Sequence, residues 1–587
     1  MRCLLRAFAL LAGLAAAGLP LDSRAATAPA PASAEPAAPA LGDLSKVGTI
    51  RFPTSCDPAV QGDFERGVAL LHSFFYEEAR RVFTRVTEKD PGCAMAWWGV
   101  AMTYYHPLWT APDSSELAAG RAAAERALAA SETSERERDF ARAIEAFYLG
   151  LDAPLDETTP GAPSCHGPAL MDPRGRAACY RREMEKVAAR HPEDNEAAAF
   201  YALALLGTAP PGDPALANQK QAAEILEPMF AKFPDHPGLA HYLIHTYDYP
   251  PTARKGLKAA NTYAALAPWV PHALHMPSHI YTRLGMWQET IDANRASADA
   301  ARKYEAAYHP GAASFEELHA LDYLAYAYLQ VGADRKVAEI LARLGAIKKT
   351  HPETDFAVGY AFGAIPARYA LERRQWKEAA ALAMPDMPFW KQLPFAEGHI
   401  VYARAVGAAR GGDVKGALGQ AERLDQLAAA MTDPRYRYFA QQMGLQRDAV
   451  LGLAALVDGH REKAIVVLRA TAAREDSLGK HPVSPGAILP IRELLADALL
   501  GTGKPAEALA EYQAALRIYP ARFNGTYGAA VAAERSGKKD EARKYYTELL
   551  EIAKAGDMER PEIALARAAL KRLTAAAPAP AAGKGGG

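Results

Sequence analysis

The strongest constraint on this chain is a spacing. Gly503, Ala508 and Tyr512 return 34 residues later as Gly537, Ala542 and Tyr546, and Pro520 closes the segment between. A fixed period of that length, with Gly and Pro as punctuation and Ala and aromatics in helical register, marks a stack of helical hairpins in which each unit buries its apolar face on the next. Glycine suits the turn, alanine the closest helix contact, and the aromatic the packing against the following unit. The same order appears at the front, where Tyr76, Ala79, Phe83 and Pro91 form one unit and Trp97 opens the next. Gly285, Gly332, Gly412 and Gly459 are further turn glycines, and Trp376 with Ala379 marks another hairpin.

These residues resemble the tetratricopeptide repeat family. The resemblance covers most of residues 60–555 in roughly nine or ten hairpins, and implies an all-α, right-handed α-solenoid with a concave surface for a partner. Two stretches depart from the period, 111–214 and the 47 residues from Gly285 to Gly332, so longer helices or added loops must fill them. The expected division is a signal peptide over 1–25, a disordered Ala/Pro-rich tether over 26–45, an N-terminal array over 46–236, a second array over 237–574 and a disordered tail over 575–587.

The start reads as a targeting segment. Arg2 and Arg6 flank the beginning of an apolar stretch, Ala7 to Leu19, too short to span a bilayer, with small residues near Ser23-Arg24-Ala25 for cleavage. Export, to the periplasm or beyond, places Cys56, Cys93, Cys165 and Cys179 in oxidising surroundings, and the pairings expected are Cys56–Cys93 and Cys165–Cys179. A net charge of −1 argues against a nucleic-acid partner held by electrostatics. No later apolar run is long enough for an integral membrane segment.

Chemistry concentrates between Asp235 and Trp287. His241 and His245 are four apart, as are His275 and His279, so each pair shares a helix face; the pairs are themselves 34 residues apart. Counted from Gly285, His275 and His279 fall at the fifth and ninth positions of a first helix. The resemblance implies that these, with the second, twelfth and thirteenth positions, look into the groove. His272 and His319 then fall at the second position of their repeats, Asp248 at the twelfth, Asp322 at the fifth and His399 at the second, while His72 and His106 share the thirteenth.

Helices packed about 8–10 Å apart bring such imidazoles to a common point. Neutral imidazole binds zinc, copper, nickel or iron, and Asp248 or Asp322 could complete a mixed site. Three readings stay open: a transition-metal centre on His241, His245, His275 and His279; a groove binding a peptide, a protein or a small ligand; and histidines that only hold the fold. Tyr242, Tyr247, Tyr249, Tyr281 and Arg283 either grip an anionic ligand or pack between helices. The run from Ser134 to Asp139 reads as a solvated helix face, and His481-Pro-Val-Ser-Pro-Gly as a loop before the last repeats. No nucleophile elbow, phosphate-binding glycine loop or Cys-x-x-Cys occurs, so catalysis by those routes is not expected.

Overall fold

A computed structural model describes residues 45–149 and 172–575. The expected signal peptide, most of the tether, Cys165 with most of its insertion, and the tail beyond 575 lie outside the described residues, and with them the Cys165–Cys179 pairing.

The described chain is all-α. Helices follow one another as antiparallel hairpins from Gln61–His72 with Tyr76–Lys89 to Phe523–Arg535 with Lys539–Ile552, closed by Pro561–Ala575. Local signals set the helix starts. Asp113 with Glu116 and Ser134 with Glu137 form capping boxes, and Asp194, Ser314 and Asp355 accept from first-turn N–H groups. The turns between paired helices need a left-handed residue. Gly285 (φ 69°) and Gly332 (φ 71°) supply it, yet Phe74, Leu108 and Arg374 stand at the corresponding turns with φ of 54°, 68° and 55°. Those three carry no glycine for the sequence to reveal.

Alanine permits close approach where the hairpins touch. Ala79, Ala379, Ala508 and Ala542 are fully buried, and Tyr512 and Tyr546 pack beside them. The 47-residue spacing is filled by the long helix Trp287–Tyr308 and a two-residue strand, Ala313–Ser314, paired in parallel with Thr350–His351. Cys56 and Cys93 are disulfide-bonded, as expected, and tie the incoming segment to the start of helix Ala94–Met102.

The segment read as solvated is so only in part: Ser134, Glu135 and Arg138 are exposed. Glu137 and Asp139 are buried, Glu137 accepting from Ser55 and Asp139 pairing with Arg190 and His191. Residue pairs hundreds of positions apart also meet. The Trp269 indole donates to Lys46 O, and the Trp287 indole to Ala521 O. Arg522, wholly buried, bonds Glu372, Glu493 and Tyr326 from three other helices. The histidines expected to line an open concave face are buried in the interior, with His245 only partly so. Among the described residues, no helix is long and apolar enough to cross a membrane.

Candidate metal centre

Proline shapes the helices that carry the histidines. Pro237 opens Pro237–Tyr247 at a position that needs no N–H donor, with the His236 ring accepting from Leu239 N–H as the cap. Pro277 interrupts the next first helix, leaving Pro271–His275 and Pro277–Leu284 joined through Met276, whose backbone stays helical (φ −53°, ψ −38°). His275 and His279 therefore still face the same way, and His272 sits one turn before them. His319 comes from Phe315–Val331.

Six histidines gather in two groups of three: His241, His245 and His272, and His275, His279 and His319. Within each group, one nitrogen from every ring lies within 4.8 Å of the others. All but His245 are buried, His241 and His275 completely. Rings of the two groups are 6.0 Å apart at His245 and His279 and 6.2 Å at His272 and His275.

The outer hydrogen bonds decide which nitrogen carries the proton. His241 Nδ1 is 2.7 Å from His72 O, and His279 Nδ1 is 2.9 Å from Asp248 Oδ2. Both are acceptors, so each Nδ1 donates. His275 Nδ1 is 2.6 Å from Asn294 Oδ1, and that amide is oriented by its own N–H group donating to Thr290 O at 2.7 Å. His275 therefore also donates from Nδ1. Each of these neutral rings is left with a bare lone pair on Nε2.

His275 Nε2 and His279 Nε2 nevertheless face each other at 3.0 Å. Two lone pairs at that distance repel unless a cation draws them together. His241 Nε2 and His245 Nε2 are 3.1 Å apart, and the buried Nε2 atoms of His272 and His319 have no hydrogen-bond partner among the described residues. Burial pushes His241 down to about 3. It also holds His245, His272, His275 and His319 below the ordinary imidazole value, helped by the neighbouring imidazoles, and His279, helped by Lys480. All six are neutral near pH 7, the form that ligates metals.

A shell of other residues holds this cage. Phe74, at its left-handed turn, packs on His241, His245 and His272. The Trp109 ring meets His272 and His319 edge-on. Tyr323 Oη lies 3.4 Å from His279 and donates to Ser484 O at 3.1 Å. The segment after helix Arg461–Leu478, read from sequence as a connecting loop, folds across the site and brings Lys480 Nζ to 2.6 Å from Asp248 Oδ2. Arg283 grips Asp248 Oδ1 at 2.8 Å and its carbonyl at 2.9 Å. Burial brings Lys480 down to about 8 despite that carboxylate. Although burial alone would raise Asp248, Lys480 and Arg283 hold it well below the usual range. Beyond lies a cavity of about 730 Å³ with His245, Asp248, Arg283 and Lys480 on its wall beside Trp109, Tyr249 and Tyr438.

Several expected site residues go elsewhere. Asp322 pairs with Arg368, burial lifts it to about 6, and it lies outside both histidine groups. Asp248 is spent on His279, Arg283 and Lys480, so it orients a histidine rather than joining the histidine groups. His399 lies between Tyr360 and Phe395, apart from both groups. His72 bonds Tyr242 and Glu196, and His106 packs on Tyr76. Tyr281 bonds Asn261 toward solvent, Tyr247 bonds Glu227, and Tyr249, on the cavity wall, bonds Gln219. Conversely, His272 and His319, assigned only to a groove, complete the two groups. Asn294, Tyr323, Trp109, Phe74 and Lys480 had no motif to announce them. Three other sets of possible ligands have internal explanations: Cys56 and Cys93, near Asp90, are disulfide-bonded, Glu196 already accepts from His72 and His236, and Glu77 pairs with Arg81 while His309 and His351 stack on each other.

The family model described as "Tetratricopeptide repeat" matches residues 64–135 and 493–557. No curated protein matches the chain. Among solved structures it is similar to the APC/C hetero-tetramer Cut9–Hcn1 (12% identity, TM-score 0.26, covering 87% of this chain and 96% of that one). Others are yeast Tom70 (10%, 0.27, 88% and 96%) and the P58(IPK) TPR domain (12%, 0.19, 88% and 99%). The chain is thus an array of helical hairpins with tetratricopeptide-like repeats toward both ends, and its histidine groups lie in the stretch between them.

Proposed function

We propose that the central repeats bind a transition metal through His241, His245, His272, His275, His279 and His319. The carrying observation is the 3.0 Å approach of His275 Nε2 and His279 Nε2, both lone-pair atoms because the Nδ1–H groups donate to Asn294 and Asp248. Rings held by carbonyl, amide and carboxylate acceptors at the far nitrogen are the usual outer support of a metal site. The donor set is imidazole alone, which suits copper, zinc, nickel or iron and not magnesium or calcium.

The test is elemental analysis of protein purified without chelators or a histidine tag, beside His241→Ala/His275→Ala, with circular dichroism to follow folding. Metal near stoichiometry in the parent and lost in the folded variant is the expected result. No metal, even after reconstitution with copper, zinc, nickel and iron, sinks the reading.

A second reading concerns the ligand. Tetratricopeptide-like arrays are in general protein-interaction scaffolds, and a groove lined by exposed histidines was one expectation. The burial of five of the six rings disfavours a peptide lying on them. The cavity at His245 is of a size for a small ligand, and that ligand would meet the metal centre from its one less buried histidine. Export remains a proposal resting on the order of residues 2–25, tested by N-terminal sequencing of the mature protein from separated cell fractions.

A further inference from the structure

Two groups of three, rather than one cluster of six, raise the question of how many ions are held. An ion about 2.0–2.1 Å from each nitrogen satisfies three or four imidazoles, not six. The groups nevertheless abut, with ring centres 6.0 Å apart at His245 and His279 and 6.2 Å at His272 and His275. His272 and His275 even share one short helix, so no layer of protein separates the two points of convergence. Two ions placed there are neighbours that can share a bridging ligand, as in other two-metal sites.

Charge narrows the choice of ion. Six neutral imidazoles offset none of it. Among the described residues two carboxylates stand beside them: Asp248, which already faces Arg283 and Lys480, and buried Glu316, whose Oε2 lies 3.8 Å from His272 Nδ1. Two divalent ions would add four positive charges to a buried site where at most the single Glu316 carboxyl is uncommitted, which is costly. Monovalent copper halves that load, accepts three nitrogen ligands and keeps a position open. Resting on the metal-binding reading above, we infer that the two triads hold a pair of copper ions as one dinuclear centre that binds dioxygen between them, reached through the cavity at His245. Each copper(I) gives one electron to dioxygen, which becomes a peroxide bridging two copper(II) ions; no proton moves, and the dianion supplies the negative charge the cage lacks. Tyr323, Trp109 and Phe74 screen the remaining faces from water.

The experiment uses the full chain, loaded with copper(I) without oxygen, with copper and protein measured, and then exposed to dioxygen. Expected are two copper ions per chain, uptake of one dioxygen per chain, and an oxygenated form silent by electron paramagnetic resonance because the two spins cancel. His272→Gln and His319→Gln should each lower the content to one copper per chain, and the remaining ion, once oxidised, should show its full spin. One copper per chain in the parent protein overturns the inference while leaving metal binding intact. So do two ions with full spin intensity, or no dioxygen uptake. A chain that takes up no metal overturns both.

Discussion

Asp248→Asn separates what the structure assigns to this carboxylate. Asp248 accepts from His279 Nδ1 at 2.9 Å, Arg283 Nε at 2.8 Å and Lys480 Nζ at 2.6 Å, all three partners buried. Asparagine keeps the shape and one acceptor but removes the charge and turns an N–H group toward one cation. Lys480 has an escape: at about 8 it already lies below a free lysine near 10.4, an offset of roughly 3 kcal/mol, and without the carboxylate it loses its proton near neutrality for about 1–2 kcal/mol more. Arg283 has no such route and keeps only the Asp248 carbonyl. The expected loss in the metal-free protein is therefore ~3 kcal/mol, at the lower edge of what breaking a buried ion pair costs. His279 also loses its anionic orienting partner, so metal affinity should fall about 10–100-fold. Urea unfolding reads the first quantity, and competition against a chelator reads the second. Lowered stability with unchanged affinity would mean that Asp248 serves only the ion pairs. No change in either would refute the geometry around it.

Arg522→Ala leaves Glu372 and Glu493 buried without their cation; a loss of about 3–5 kcal/mol is expected, and a urea midpoint within error of the parent would count against it. At Gly99 an added Cβ would come 2.5 Å from the Phe83 ring, so Gly99→Ala should cost roughly 1–3 kcal/mol by overpacking, read as a lowered melting temperature. Burial sets His241, His399 and His481 at about 3 against an ordinary 6.5, so the unfolded chain takes up protons between those values that the folded chain refuses. Stability of the metal-free protein is then full above about pH 6.5 and falls as pH drops, by ~1.4 kcal/mol per histidine at pH 5.5. A urea midpoint that stays flat from pH 7 to pH 5.5 would contradict this.

The fold class was legible because glycine, alanine and tyrosine recur at one period, and each has a separate steric reason to do so. What escaped was the packing of distant repeats on one another. Nothing near Arg522 says that it will meet Tyr326 and Glu372, and nothing in Lys480-His481-Pro says that this segment will cross the histidines. A position count gives a face but not what covers it, so the face was read as open groove. Glu137 and Asp139, within the otherwise largely exposed Ser134 to Asp139 face, escaped for the same reason. Alternating charges look solvated until Ser55 and Arg190, far along the chain, arrive to pair with them.

The histidines themselves obey a rule the sequence already contains. Each group takes the fifth and ninth positions of one repeat and the second position of the next: His241 and His245 with His272, then His275 and His279 with His319. The second group is the first moved one repeat along, by 34 residues at the paired histidines and by 47 at the third, the length of the enlarged repeat between Gly285 and Gly332. Insertion of helix Trp287–Tyr308 lengthens the second half of that repeat without turning the next first helix away, so the register of the face survives. That helix also supplies Asn294, which fixes the His275 tautomer. One repeat further the rule ends. Asp322 and Tyr326 occupy the fifth and ninth positions and are engaged by the buried guanidinium groups of Arg368 and Arg522. Where the imidazoles stop, permanent cations begin, so the same inward face passes from a place that can receive metal charge to one already supplied with it.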